Sequence, residues 1–252
     1  MSALQLRPAL RGCRAVVLDT DGVLIDSARV HALAWKEAFD ACLRERAPAG
    51  RDHPFDARED YRRFVDGKSR LDGAASFLAA RGLDLPPGSP DDPPGTGTVA
   101  AVAAAKERSF TARLHDHGVG SWPGTVRLLH ALRAAGIACA AVSASRHARE
   151  LLDRAGLREL LVTIVDGNDS AALGLRGKPD PALFLEAAER LGVPPADAAV
   201  VEDALAGVEA GRRGGFSPVV GVDRTGGPDS AADLLDHGAD LVVEDLAELL
   251  WE

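Results

Sequence analysis

The chain has 252 residues, and its 46% hydrophobic and 27% charged residues give the balance of a globular protein. A formal net charge of −9 argues against a nucleic acid partner, because phosphate backbones require clustered Lys and Arg. The three cysteines are too far apart for a metal site or a disulfide framework, and neither a secretory leader nor a membrane-spanning run is found, so we expect a cytoplasmic protein without a membrane partner.

Six short apolar runs are typical of parallel strands that are buried on both faces, because they lack polar alternation. In chain order they are AVVLD (15–19), ACAAVS (138–143), LVTIVD (161–166), AAVVED (198–203), PVVGVD (218–223) and DLVV (240–243). Stretches with helical periodicity lie between them, each ending near a glycine: PGTVRLLHALRAAG (123–136), SRHARELLDRAG (145–156), DPALFLEAAERLG (180–192) and ALAGVEAGRRGG (204–215). This alternation predicts a doubly wound, parallel α/β sheet.

The alternation is interrupted once, after the first strand. Residues 27–118 contain no convincing strand, and helices are predicted there near 27–46, 58–66, 69–81 and 97–117. We therefore predict two domains: residues 1–26 with 119–252 form the α/β core, and 27–118 form an inserted all-helical unit. Gly118 and Gly120 are a candidate hinge between the two.

Polar side chains lie where the predicted strands end, which is the edge of a parallel sheet at which ligands bind. They are Asp19, Asp21, Ser143, Lys178, Glu202 and Asp203. Any one of these aspartates alone is more often a turn or helix-cap residue. Three or more carboxylates at one edge repel each other, however, and require a cation; oxygen ligands without nearby His or Cys suit Mg²⁺.

Lys178 and Ser143 complete a cradle for a phosphoryl group. The lysine would neutralise its charge and the serine hydroxyl would donate a hydrogen bond. A carboxylate in such a cradle can attack phosphorus to form an aspartyl phosphate, and a second carboxylate two residues on can act as general acid and base. The crowded aspartates thus predict a nucleophile and a proton shuttle that share one Mg²⁺ site.

The segments DTDGV, VSAS, GKPDP and VVEDALAG occur in the order of the four motifs of the haloacid dehalogenase (HAD) superfamily, and the chain is identified as a member. The helical insertion resembles the α-helical cap of that superfamily. The stretch DTDGVLIDSARVHALAWKEAF resembles the β-phosphoglucomutase-like family in particular, with a hydroxyl residue, a histidine and AWK after the first motif.

The resemblance implies a role for each motif residue. Asp19 would be the nucleophile and Asp21 the general acid and base. Mg²⁺ would be held by Asp19, Asp203 and the main-chain oxygen of Asp21, with Glu202 assisting through water.

Further roles follow from the same resemblance. Ser143 and Lys178 would hold the transferring phosphoryl group, and His31 would align Asp21 as the cap closes. The second, non-reacting phosphate of the substrate would be bound by Arg70, Lys106, Ser145, Arg146 and His147. An alternative for the last three is a solvated helix start with Ser145 as its N-cap.

The resemblance implies a Mg²⁺-dependent enzyme that interconverts β-glucose 1-phosphate and glucose 6-phosphate through an aspartyl phosphate. We expect a monomer, because the cap must move freely. A phosphatase of small sugar phosphates would use the same core residues. A phospho-receiver module and an inactive scaffold are two further alternatives; the long insertion argues against the first and the complete motif set against the second. Thr20, Asp66 and Ala204 depart from the family pattern, and Asp66, which stands where the mutases have a lysine, leaves the identity of the sugar open.

Overall fold

The computed structural model of the chain describes residues 5–47, 53–117, 120–224, 226–227 and 229–251. Gly118, one of the two candidate hinge glycines, lies outside the described residues. Within these ranges the chain forms eight strands, numbered in chain order: β1 (Gln5–Leu6), β2 (Ala15–Asp19), β3 (Ala138–Val142), β4 (Thr163–Val165), β5 (Ala198–Glu202), β6 (Val219–Val222), β7 (Leu241–Val243) and β8 (Leu250–Trp251).

Nine α-helices are formed by the same described residues. They are α1 (Ala28–Arg46), α2 (Arg70–Ala80), α3 (Val99–His117), α4 (Pro123–Ala134), α5 (Ala148–Arg154), α6 (Gly167–Leu173), α7 (Ala182–Leu191), α8 (Leu205–Arg213) and α9 (Ser230–Asp236). A short π-helical turn, Tyr61–Val65, stands where a helix over 58–66 was predicted. None of these helices is both long and apolar enough to traverse a membrane.

Strands β2 to β7 form one parallel sheet in the order β4-β3-β2-β5-β6-β7. All six strands predicted from the apolar runs are present, and the predicted doubly wound α/β fold is confirmed. Strands β2 and β5 are buried along their whole length, which explains why neither has polar alternation. In the register of the sheet Asp19 lies opposite Val142, and Leu18 lies opposite Val201. The residues that follow β2, β3 and β5 therefore meet at one edge of the sheet.

A second, two-stranded sheet was not predicted. Strands β1 and β8 pair antiparallel, with Gln5 opposite Trp251 and Leu6 opposite Leu250. Two residues per strand are too short to show any hydrophobic period in the sequence. The pairing ties the two ends of the described chain together.

The chain divides into two compact units. One comprises residues 1–26 and 119–252 and is called here the core unit; the other comprises residues 27–118 and is called the helical unit. Within the core unit, Asp26 N–H donates to the Gly120 carbonyl at 2.9 Å, and Ile25 forms an antiparallel bridge with Ser121. The chain therefore leaves the core unit and returns to it at adjacent points of the backbone.

The helical unit has its own aromatic core. Phe39 of α1 lies 4.7 Å from Trp35 and 4.1 Å from Phe77 of α2, measured between ring centroids. Phe55 completes the cluster, 5.1 Å from Phe39. These rings are almost fully buried, and each contributes a large apolar area to the packing of helices that contain much alanine.

Candidate active site

A buried ion triad lies at the carboxyl edge of the parallel sheet. Asp19 is the last residue of β2, Glu202 is the last residue of β5, and Lys178 lies in the loop before α7. The Lys178 Nζ donates hydrogen bonds to Asp19 Oδ1 and to Glu202 Oε1. All three side chains are buried, so the interactions are barely screened by solvent.

The triad combines two carboxyl groups with one ammonium group, so its fully ionised form carries one excess negative charge. Burial raises the pKa of Asp19 well above its usual range, although the neighbouring Lys178 ammonium opposes this effect. Burial also lowers the pKa of Lys178, but the carboxylates of Asp19 and Glu202 outweigh it and raise that pKa, which keeps the lysine charged. A further cation at this edge would balance the excess negative charge.

Asp21 and Ser143 join the triad through hydrogen bonds. The Asp21 N–H donates to Asp19 Oδ2 at 2.9 Å, and the Ser143 hydroxyl donates to Asp21 Oδ2 at 3.1 Å. The Ser143 oxygen in turn accepts the Ser145 N–H at 3.0 Å. The structure thus brings Asp19, Asp21, Ser143 and Lys178 into one connected group.

The structure of the loop after β2 accounts for Thr20, which lies between the two aspartates, and for Gly22, which follows them. The buried Thr20 hydroxyl donates to the Val142 carbonyl at 2.9 Å and so ties the end of β2 to β3. This is a structural reason for the polar residue at a position where the family usually has an apolar one. Gly22 has a positive φ of 87°, and a Cβ there would overlap the Asp203 carboxylate. Only glycine therefore allows Asp203 to approach this loop.

The donor atoms of the site fit Mg²⁺ by their chemistry. Among the described residues no group of three or more His, Cys, Asp or Glu side chains is arranged to hold a metal ion. The set implied by the sequence needs only two carboxylates, those of Asp19 and Asp203, together with the main-chain oxygen of Asp21. Oxygen donors and an excess of buried negative charge are what a hard divalent cation requires. Both carboxylate oxygens of Glu202 accept hydrogen bonds: Oε1 accepts one from Lys178 Nζ, and Oε2 accepts one from the Ala204 N–H at 2.7 Å.

The predicted phosphate-binding run Ser145–His147 connects β3 to α5. Arg146 is exposed, and the Ser145 hydroxyl oxygen accepts the His147 N–H at 3.2 Å. On the other side, the Gly167 N–H donates to the Ser145 carbonyl and the Asn168 amide donates to the Arg146 carbonyl, both at 3.1 Å. The N-terminus of α6 therefore braces this loop.

His31 and Lys106 lie together inside the helical unit. The Lys106 Nζ is 3.0 Å from His31 Nδ1, and both side chains are buried. The His31 ring stacks on Phe110 with 4.1 Å between centroids, and the ammonium lies 4.3 Å from the centre of the same Phe110 ring. Aromatic faces stabilise the buried ammonium by cation–π attraction.

Arg70, the predicted phosphate ligand of the helical unit, is engaged in an ion pair. Its Nη1 lies 2.7 Å from Glu107 Oε2, and both side chains are partly exposed. Arg70 begins α2, whose N-cap Ser69 accepts the Asp72 N–H. Asp66 follows the π-helical turn as its C-cap, with its N–H bonded to the Tyr61 carbonyl.

Arg224 was not predicted from the sequence, yet it contacts the loop that carries the two aspartates. Its Nε donates to the Gly22 carbonyl at 2.8 Å and its Nη1 donates to the Glu244 carbonyl at 2.9 Å. Arg224 follows β6 at the same edge as the other motif residues, but no sequence pattern near it indicates the contact with Gly22.

Comparison with known proteins identifies the class of this site. The sequence model of the haloacid dehalogenase-like hydrolase family matches residues 13–215, and the chain belongs to that family. Within it, the chain belongs to the β-phosphoglucomutase-like group: it is 48% identical to a β-phosphoglucomutase of Mycobacterium bovis over 94% of this chain and 91% of the relative. The chain is therefore an enzyme of the phosphomutase or phosphatase type.

Two solved structures share the fold. A β-phosphoglucomutase of Clostridium difficile has a TM-score of 0.71 at 23% identity, covering 94% of this chain and 93% of that chain, which supports the fold alone. A HAD family hydrolase of Deinococcus radiodurans, solved with bound phosphate and sodium, has a TM-score of 0.64 at 33% identity, with coverage of 94% and 93%. The chain is thus similar to proteins named as mutases and to proteins named as hydrolases.

Proposed function

We propose that this protein is a Mg²⁺-dependent β-phosphoglucomutase that interconverts β-glucose 1-phosphate and glucose 6-phosphate through an aspartyl phosphate. The observation that carries the proposal is the hydrogen-bonded group of Asp19, Asp21, Ser143 and Lys178 at the sheet edge. The 48% identity to a curated β-phosphoglucomutase over nearly the whole chain favours a mutase within the family.

In the proposed reaction the Asp19 carboxylate oxygen forms a bond to phosphorus while the bond from phosphorus to the sugar oxygen breaks. Asp21 gives a proton to that departing oxygen and, in the reverse direction, takes a proton from the attacking hydroxyl. Ser143 orients the Asp21 carboxylate, and Lys178 neutralises charge on the phosphoryl oxygens. Asp19, Asp203 and the main-chain oxygen of Asp21 would hold Mg²⁺, with Glu202 acting through water, and the bound ion would supply further charge neutralisation.

A mutase must present either end of its substrate to one nucleophile. Phosphorylated Asp19 gives its phosphoryl group to β-glucose 1-phosphate, and the bisphosphate then returns the other phosphate to Asp19. The non-reacting phosphate needs cations and donors of its own. For the binding of this phosphate we propose the side chains of Arg70, Lys106, Ser145, Arg146 and His147. We propose a separate role for His31, the alignment of Asp21.

A phosphatase of small sugar phosphates is the second candidate. Water and a sugar hydroxyl attack the same aspartyl phosphate, so the core residues serve both reactions equally. The similarity to a HAD family hydrolase with bound phosphate favours this alternative. In the mutase, residues 27–118 would act as a cap that excludes water from the aspartyl phosphate. A monomeric enzyme of the cytoplasm remains our expectation for either activity.

Two parallel assays separate the candidates. Purified protein is given Mg²⁺ and β-glucose 1-phosphate with a trace of glucose 1,6-bisphosphate, and glucose 6-phosphate and free phosphate are followed together. Glucose 6-phosphate that forms well ahead of phosphate supports the mutase. Release of phosphate alone would establish the phosphatase and would make Asp66 the first residue to exchange for lysine. The Asp19→Asn variant, which cannot form the aspartyl phosphate, is the blank for both assays.

A further inference from the structure

Arg224 uses its guanidinium to join two separate backbone segments. The Nε donates to the Gly22 carbonyl at 2.8 Å and the Nη1 donates to the Glu244 carbonyl at 2.9 Å. The flat face of the group lies on Trp122, with 4.1 Å from Cζ to the ring centre. A planar fork that donates from two nitrogens and stacks at the same time is a geometry that lysine cannot reproduce.

The carbonyl that Arg224 holds is next to the reacting groups. Gly22 directly follows Asp21, and its Cα faces the Asp203 carboxylate so closely that a side chain would not fit. A shift of the Gly22 peptide would therefore displace the side chain of Asp21, its main-chain oxygen and the space that Asp203 occupies. Arg224 contacts that peptide directly through its Nε.

The Arg224 side chain is largely buried and is surrounded by acidic groups. Burial lowers the pKa of Arg224, and the carboxylates of Asp203, Asp245 and Asp26 act in the opposite direction. Asp245 forms an ion pair with Arg224, with 3.9 Å between Oδ2 and Nη1. The Nη2 is buried and has no hydrogen-bond partner in the described part of the chain. An unsatisfied buried donor is unfavourable, so the Nη2 adds no stability at this position.

We propose that Arg224 is a positioning residue of the reaction, which fixes the Gly22 peptide and thereby places Asp21 and Asp203. The kinetic part of this inference rests on the proposed function. Its structural part concerns only the placement of Asp21 and Asp203 for metal binding and does not require turnover of a sugar phosphate. Arg224 itself touches neither the transferred group nor the proton.

The test compares Arg224→Lys with Arg212→Lys. Arg212 is a matched control, because its Nε donates to the Gly238 carbonyl at 2.9 Å and its Nη2 to Asp240 at 2.5 Å, away from the sheet edge. We expect kcat of the Arg224 variant to fall about 10- to 100-fold while KM for the sugar phosphate changes less than about threefold. The Arg212 variant should keep the wild-type kcat. A loss of kcat in both variants to the same degree would overturn the inference.

A second readout does not depend on turnover. Binding of Mn²⁺, followed by the electron paramagnetic resonance signal of the free ion, should be weakened about 10-fold or more by Arg224→Lys and unchanged by Arg212→Lys. If the wild-type protein turns over no sugar phosphate, the proposed function fails, whereas this comparison still decides the placement of the metal ligands. Arg224→Gln is measured alongside, with urea unfolding to establish that each variant is folded. Wild-type Mn²⁺ affinity and kcat in a folded Arg224 variant would overturn the inference.

Discussion

The Ser143 hydroxyl donates a 3.1 Å hydrogen bond to the carboxylate of Asp21, which joins the end of strand β3 to the loop after β2. The serine therefore contacts the proposed general acid in addition to any phosphoryl group that enters the site. Because its oxygen also accepts the Ser145 N–H, the hydroxyl proton is directed towards Asp21. The hydrogen bonds thus orient Ser143 towards Asp21, and phosphate binding is the second role that we propose for this serine.

Removal of this hydroxyl should impair turnover more than stability. We expect Ser143→Ala to lower kcat about 10- to 100-fold, because the Asp21 carboxylate loses its fixed orientation. The free energy of unfolding should fall by only about 1 kcal/mol, the net value of one hydrogen bond. Steady-state kinetics and urea unfolding measure both quantities. Ser170→Ala removes a hydroxyl that donates to the Leu175 carbonyl at 3.0 Å and should leave kcat unchanged; an equal loss of kcat there would contradict the interpretation.

Lys178 should be the most costly single site residue to remove. In Lys178→Met the carboxylates of Asp19 and Glu202 remain buried without their shared ammonium, and we expect a loss of about 3–5 kcal/mol of folding free energy. Arg213→Met breaks an exposed ion pair with Glu209 and should cost less than about 1 kcal/mol. Urea denaturation of both variants gives the comparison. A loss of folding free energy no larger than that of Arg213→Met would contradict the prediction, because it would mean that the buried carboxylates do not depend on the Lys178 ammonium.

The Arg70–Glu107 ion pair predicts an effect on substrate affinity. If Arg70 binds the non-reacting phosphate, the substrate must compete with the Glu107 carboxylate, whose oxygen lies 2.7 Å away. Glu107→Gln should therefore lower KM about two- to fivefold, the scale of an exposed ion pair, while Arg70→Ala should raise it. Glu37→Gln, which breaks a comparable pair with Arg113 in the same unit, should not change KM. An unchanged KM in both Arg70 and Glu107 variants would exclude Arg70 as a phosphate ligand.

The lowered pKa of Asp169 leads us to expect that the protein loses folding stability in acid. Burial raises the pKa of Asp169, but the Asp166 N–H and the guanidinium groups of Arg190 and Arg149 outweigh this effect and lower it to about 2. Because this is below the value of about 3.9 in an unfolded chain, the contribution is present above that pH and is lost as the pH falls towards 2. Its size is about 1 kcal/mol, since solvent reaches the ion pairs.

Thermal or urea unfolding of wild type and Asp169→Asn between about pH 7 and pH 2 measures this contribution. The two stabilities should converge as the pH is lowered, because the protonated carboxyl and the amide then resemble each other. Asp153→Asn, a substitution at an exposed position of α5, should follow the wild type at every pH. A constant difference between wild type and Asp169→Asn over the whole range would refute the assignment.

The parallel sheet was predictable because its strands are largely buried on both faces and therefore consist mostly of apolar residues. Elements that depend on tertiary contacts were not predictable. Helix α6 begins with Gly167 and Asn168, which have low helix propensity, and it is held by the Asp166–Asp169 capping box. Strands β1 and β8 exist only because they meet each other across nearly the whole length of the chain.

The residues of the site likewise include some that could be predicted from the sequence and some that could not. Asp19, Asp21, Ser143 and Lys178 were predictable because each stands next to a recognisable strand or helix boundary, and parallel strands bring such boundaries to one edge. Arg224 acts on Gly22, which precedes it by 202 residues, and no local pattern encodes that contact. The ion pair of Arg70 with Glu107 is likewise a contact between two helices whose separate sequences do not reveal it.

The hydrogen bond between Asp26 and Gly120 closes the core unit on itself at the point where residues 27–118 are inserted. A segment whose two ends emerge side by side can be exchanged for another of different length without disturbing the register of the sheet. Replacement of 27–118 by a turn of a few residues should therefore leave a foldable α/β domain. Under the proposed function, an exchange of the inserted segment at this junction would alter substrate selection and leave the residues of the phosphoryl transfer in place.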